Sequence, residues 1–180
     1  MIINYIENSS ESKEIKEITN LYEASFPEIE RRDKEEFERF LSGDKKAFNV
    51  TSVRVDSAFA GFLSHWEWGE TAYLEHFAIL PTKRGNGIGT QLFNHLLAVS
   101  PAKRIILEVE PVIDDLTLAR VRFYEKRGFT LHTEYDYVQP AYRPGGQPLK
   151  LNLMTYGPFS DMQIKETIAR MRREVYGLEN

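Results

Sequence analysis

No cysteine occurs among the 180 residues. Disulfides, Cys-ligated zinc and a cysteine nucleophile are thereby excluded, and a reducing compartment fits. No run approaches the roughly 18 consecutive apolar residues that cross a bilayer. The opening segment Met1–Glu7 has neither the basic n-region nor the long apolar stretch of a secretory signal. A cytoplasmic protein without a membrane partner is the expectation. An excess of positive charge is also missing: 23 Lys and Arg against 27 Asp and Glu leave a formal net charge of −4. Nucleic acid is therefore not an expected partner. No internal repeat and no Ser/Pro/Gly-rich linker divides the chain. What is present, 42% hydrophobic and 28% charged residues, suits a globular fold. A chain of this length buries roughly 70% of its unfolded surface and supports its own core.

The apolar pattern predicts a mixed architecture. Residues 2–6 read as a strand. Ile15, Ile18, Leu21 and Tyr22 fall at helical spacing between Ser10 and Ser25, and Phe26-Pro27 ends that helix. Residues 28–46 carry 13 charges among 19 positions and read as a solvated helix with Phe37, Phe40 and Leu41 as its apolar edge. Three strands are expected at Ala47–Val55, Ala58–Trp66 and Thr71–Leu80, with turns at Asp56-Ser57 and Gly69-Glu70. The stretch Tyr73–Leu80 is apolar on both alternating faces, as a central strand would be. Ile88, Leu92, Phe93, Leu96 and Leu97 predict a helix ending near Ser100-Pro101.

Arg104–Glu110 reads as another central strand. Asp114 or Asp115 caps a helix through Lys126, and Gly128 stops it. Phe129–Tyr137 and Leu149–Tyr156 are expected as a final pair of strands. Ile164, Ile168, Met171 and Val175 predict a terminal amphipathic helix. The order βααβββαβαββα implies an α/β or α+β fold, with a mixed central sheet of about seven strands flanked by helices. The expected division is a domain over 1–156 and an added C-terminal helix over 157–180. That helix offers an apolar stripe to its own domain or to a second copy.

The segment that carries chemistry is Pro81-Thr82-Lys83-Arg84-Gly85-Asn86-Gly87-Ile88-Gly89-Thr90. It lies between a predicted strand and a predicted helix. Three alternate glycines strip side chains from a helix start, where backbone N–H groups lack partners. Glycine also permits the positive φ that an N–H nest requires. Lys83 and Arg84 add positive charge, and the whole suits a pyrophosphate. The P-loop pattern G-x-x-x-x-G-K-[ST] is absent. The dinucleotide pattern G-x-G-x-x-G is missed by one residue, although Glu108 stands about 20 residues beyond, where a ribose-binding acid would be. A nicotinamide-dependent oxidoreductase and a purely structural turn are the other readings.

Arg84-Gly85-Asn86-Gly87-Ile88-Gly89 resembles the [QR]-x-x-G-x-[GA] signature of the GNAT N-acetyltransferase superfamily. Downstream, Arg122-Phe123-Tyr124-Glu125-Lys126-Arg127-Gly128-Phe129 resembles its F-Y-x-x-x-G-F element. Phe26-Pro27-Glu28-Ile29-Glu30-Arg31 also resembles an F-P-x-x-E-R element of a bacterial subgroup. The resemblance covers about residues 2–156. It implies the GNAT fold, acetyl-CoA as cosubstrate, no metal, and direct transfer to a primary amine in a ternary complex. By the same resemblance, backbone N–H groups of Arg84, Gly85, Asn86, Gly87, Ile88, Gly89 and Thr90 hold the pyrophosphate. Pantetheine lies along Phe77, Ala78 and Ile79, and an N–H near Ala78 polarises the thioester carbonyl. A non-catalytic acyl-CoA sensor of the same fold is the rival reading.

Transfer also needs a neutral amine and a proton for the departing thiolate. Tyr124 is the candidate acid. The candidate bases are Glu75, in the strand that would hold the thioester, Glu108, in Leu107-Glu108-Val109, and His76, whose intrinsic pKa suits the task. Either glutamate could instead pair with Arg120, Arg122 or another cation. The acceptor, a small molecule or a peptide, is expected near Phe26–Arg32 and Tyr135–Arg143, with Tyr137 and Tyr142, or beside Trp66, Glu67, Trp68 and Glu70. Aromatic rings with carboxylates suit a cationic amine, whereas Arg31 and Arg143 would favour an acceptor that carries a carboxylate.

Overall fold

A computed structural model describes residues 1–178. In chain order the strands are β1 (Ile3–Glu7), β2 (Phe48–Val55), β3 (Ala58–Trp68), β4 (Thr71–Ile79), β5 (Arg104–Val109), β6 (Phe129–His132), β7 (Val138–Gln139), β8 (Leu149–Lys150) and β9 (Asn152–Tyr156). The helices are α1 (Ser12–Ser25), α2 (Lys34–Leu41), α3 (Ile88–Val99), α4 (Asp115–Glu125) and α5 (Asp161–Glu174). Seven strands form a mixed sheet in the order β1-β2-β3-β4-β5-β9-β6, and β7-β8 is a separate ribbon. The chain divides into two compact units. One comprises Met1–Gly69 with Leu74–Ala102, the other Glu70–Tyr73 with the chain from Lys103 onward.

In the first unit β1, β2 and β3 are an antiparallel meander, with Ile3 opposite Val55 and Phe48 opposite Trp66. Ile18, Leu21 and Tyr22 of α1 are buried with Val50, Val53, Phe62 and Leu63 of the strands. Each such burial stabilises by about 1.5–3 kcal/mol. Tyr22 stacks on Phe37 of α2 at 3.7 Å between ring centroids. Glu14 interrupts the apolar face of α1, yet it is buried and bonded to Ser52 and to Arg54 Nη2 at 2.6 Å.

The helix expected over 28–46 forms only over Lys34–Leu41, with Phe37, Phe40 and Leu41 buried as its apolar edge. A single 3₁₀ turn covers Glu28–Glu30, Arg31 is extended, and α2 begins only at Lys34. The physical reason is Arg32, whose side chain is drawn inside, 1% exposed, instead of joining a charged outer face.

In the second unit β9 lies between β5 and β6, antiparallel to both, with Met154 opposite Leu107 and Leu131. The expected strand Phe129–Tyr137 stops at His132. There the imidazole bonds Glu134 at 2.7 Å and Thr155 Oγ1 at 2.8 Å, and Tyr135 bonds Asp161 at 2.6 Å. Side-chain anchors thus replace the ladder, and the chain resumes as the β7–β8 ribbon, Gln139 opposite Leu149. Asp114, not Asp115, caps α4, through a reciprocal box with Thr117. Ser160 and Gln163 cap α5 in the same way. The inner row of α5 is Ile164, Thr167, Met171 and then Val175, while Ile168 is half-buried. No described helix is long and apolar enough to cross a membrane.

Candidate active site

The glycine turn follows β4 directly. Pro81–Lys83 is a 3₁₀ turn, in which Lys83 N–H donates to Leu80 O at 2.8 Å and Arg84 N–H to Pro81 O at 3.3 Å. Arg84 thus has an acceptor for its amide within the turn. Its side chain folds back, Nε donating to Ile79 O at 3.0 Å. Gly85 and Gly87 have φ of +79° and +74°, where side-chain-bearing residues are strained. A Cβ at either position would meet nothing within 4 Å. Packing within the chain does not demand these glycines; their positive φ does. The first bond closing α3 is Gln91 N–H to Gly87 O at 3.0 Å. Ile88 and Gly89 stand in the first turn, where a helix supplies no acceptor for their amides. The turn therefore fits a diphosphate.

The strand before it is shaped by a close approach. A Cβ on Gly61 of β3 would lie 2.5 Å from Ala78 O and 3.0 Å from Ile79 Cα. Only glycine lets β3 come so near. The β2–β3 register slips beside it, between Val53 and Arg54. Ala60 O accepts from Leu80 N–H at 2.9 Å. Ala78 is buried, and Phe77 and Ile79 are half-buried.

Two of the three candidate bases lie together in this unit. Glu75 Oε1 accepts from Arg32 Nη1 at 2.5 Å, and Oε2 from Trp66 Nε1 at 2.9 Å. The Glu75 side chain is fully buried. Burial alone would raise its pKa, but the Arg32 charge and these bonds win and hold it below the usual carboxylate range. Its partner is thus a cation the sequence did not single out; Arg120 pairs with Glu110 instead. His76 packs against the rings of Tyr22 and Phe26, with Nε2 3.3 Å from Glu30 O. Burial pushes its pKa down to about 4, against the pull of Glu75, so it is neutral at pH 7.

Glu108 belongs to the second unit and has a different environment. Tyr73 Oη and Gln139 Nε2 each donate to its Oε2 at 2.6 Å, and Tyr137 Oη donates to Oε1. Tyr176 Oη is 3.1 Å from Oε1, 3.0 Å from Oε2 and 3.1 Å from Tyr73 Oη. Burial raises the Glu108 pKa, and the four donors offset only part of that rise. Tyr124, in α4, is buried between Phe123 and Phe129, with ring centroids at 5.2 and 5.4 Å. Burial pushes its phenol up to about 12, so it keeps its proton at neutral pH.

A family model described as the acetyltransferase (GNAT) family matches residues 15–129. A solved structure from Bacteroides thetaiotaomicron, assigned to the same family, is 30% identical and superposes with a TM-score of 0.86, covering 99% of this chain and 100% of that one. The chain belongs to the GNAT family of acetyltransferases. Two further structures share the GNAT fold at lower identity. Naa50 of Arabidopsis thaliana, in complex with the bisubstrate analogue CoA-Ac-MVNAL, is 16% identical (TM-score 0.64, covering 88% of this chain and 100% of that one). An aminoglycoside 6'-N-acetyltransferase complexed with coenzyme A is 20% identical (TM-score 0.62, covering 89% and 100%). No curated protein matches the chain.

Within this GNAT chain, the motif residues account for the glycine turn and Tyr124 but not for the partners of the two carboxylates. Arg32 sits one residue past the F-P-x-x-E-R element, within a run of charges that masks it. Tyr73 lies in β4, Gln139 in β7 and Tyr176 beyond the end of α5. Only the tertiary fold brings them to Glu108, so no local signal could have announced them.

Proposed function

We propose that the protein transfers the acetyl group of acetyl-CoA to a primary amine by direct attack in a ternary complex. The observation that carries this reading is the turn Gly85–Gly89, open above Gly85 and Gly87 and leading into α3. In the proposal its amides bind the CoA diphosphate, while Phe77, Ala78 and Ile79 hold the pantetheine arm. The N–H near Ala78 takes up the negative charge that develops on the carbonyl oxygen.

We assign the base to Glu108 in preference to Glu75 and His76. The Arg32 charge lowers the proton affinity of Glu75, and burial lowers that of His76, so neither takes up a proton readily. Glu108 has a proton affinity raised by burial and is bonded by three tyrosines and Gln139, which suits it to take the proton of the attacking amine. As the N–C bond forms and the C–S bond breaks, Tyr124 gives its proton to the leaving sulfur. Its raised pKa keeps that proton in place until the thiolate appears.

The acceptor is a primary amine of a small molecule or a peptide. The fold neighbours include a complex with a CoA–peptide conjugate and an enzyme named for an aminoglycoside. A panel of amines incubated with acetyl-CoA, read by release of free CoA thiol, tests the function. Amine-dependent release is expected. Binding of CoA without release by any amine would favour an acyl-CoA sensor, and a melting-temperature rise with NAD but not CoA would overturn the reading altogether.

A further inference from the structure

Tyr176 lies two residues beyond the last residue of α5, far outside the segment that matches the family model. Its hydroxyl nevertheless ends on Glu108. A carboxylate has about four acceptor positions. Tyr73, Tyr137 and Gln139 take three through single bonds to one oxygen each. Tyr176 spans both oxygens, at 3.1 and 3.0 Å. Tyr73 commits its one proton to Glu108, so at 3.1 Å its oxygen is an acceptor for Tyr176. One phenolic proton is thus shared among three oxygens.

The carrier of this hydroxyl is fixed by packing. Val175 and Met171 are buried, and the Tyr176 ring lies 5.0 Å from that of Tyr142. Around the carboxylate stand Tyr73 from β4, Tyr137 ahead of β7, Gln139 in β7 and Tyr176 after α5. Arg172 of α5 and Tyr142 act on the Tyr137 phenol. Building on the assignment of Glu108 as base, we propose that Tyr176 is a positioning residue. Its hydroxyl bridges the two Glu108 oxygens, favours the ionised carboxylate and aims it for the amine proton. The C-terminal helix is thereby a working part of the catalytic unit.

The test compares the full-length protein with Tyr176→Phe, which removes the hydroxyl and keeps the ring. Glu108 is titrated by carboxyl ¹³C NMR, its signal identified by loss in Glu108→Gln, and kcat is measured against pH. In Tyr176→Phe the Glu108 titration is expected to rise by about one pH unit, the effect of one lost hydrogen bond to a charge. The acid limb of kcat should move by the same amount, with acetyl-CoA affinity unchanged. A Glu108 titration unmoved in a folded Tyr176→Phe protein overturns the proposal, as does a moved titration with an unmoved limb. Full turnover in Glu108→Gln would instead overturn the base assignment on which it rests.

Discussion

Arg32 and Glu75 meet at 2.5 Å with side chains 1% and 0% exposed, an ion pair wholly removed from water. Such a pair is costly to half-remove, because the surviving charge stays buried. Glu75→Gln and Arg32→Ala are each expected to destabilise the fold by about 3–5 kcal/mol, read as a lower urea midpoint. The folded pKa of Glu75 is depressed, so its contribution is complete above the unfolded value of about 4.3 and is lost as pH falls through the folded value. The gap between wild type and Glu75→Gln should therefore narrow below about pH 4.3. A gap constant from pH 7 to pH 3 would contradict the pairing.

Glu108→Gln should behave differently. Its raised pKa places the acid limb of kcat above the ordinary carboxylate value of about 4.3. Below that limb the group is protonated and cannot accept; above it the rate is full. The substitution is expected to lower kcat by about 10²–10⁴-fold and abolish the limb. Glu75→Gln should leave the position of the limb unchanged. Measurement of kcat from pH 4 to pH 9 on both variants decides, and the reverse pattern would return the base to Glu75.

Tyr124→Phe removes the proposed proton donor while keeping the packing on Phe123 and Phe129. We expect kcat to fall by about 10²-fold with acetyl-CoA affinity within twofold of wild type, roughly the scatter of a near-isosteric change. Steady-state kinetics beside calorimetric binding separates the two effects. Unchanged turnover would remove Tyr124 from the chemistry.

The expectations that held were those written in local sequence. The break at Phe26-Pro27, the apolar stripe from Ile88 to Leu96 and the cap at Asp114 each depend on residues a few positions apart. The glycine turn was legible for the same reason, since a positive φ is a property of one residue. What stayed hidden required distance. Arg32 looked like one cation among 13 charges in residues 28–46 until β4 brought Glu75 to it. The loss of strand after His132 depends on Thr155, 23 residues away. Tyr176 reaches Glu108 across 68 residues, a closure that only packing of α5 can specify.

Gly87→Val probes the turn itself. Valine at φ +74° is strained by about 1–2 kcal/mol, and its methyl groups would enter the open space above the turn. CoA affinity is expected to fall at least about tenfold, the equivalent of 1.4 kcal/mol, in a protein that still folds. Calorimetric titration with CoA reads the change, and wild-type affinity would count against the diphosphate cradle.

The most direct measurement is a crystal structure of the protein grown with acetyl-CoA. The account requires the diphosphate oxygens within hydrogen-bonding distance of main-chain amides in the segment from Gly85 to Thr90, with the pantetheine alongside Phe77–Ile79. Ligand density at any other part of the chain, with the turn amides bonded to the protein instead, would contradict it.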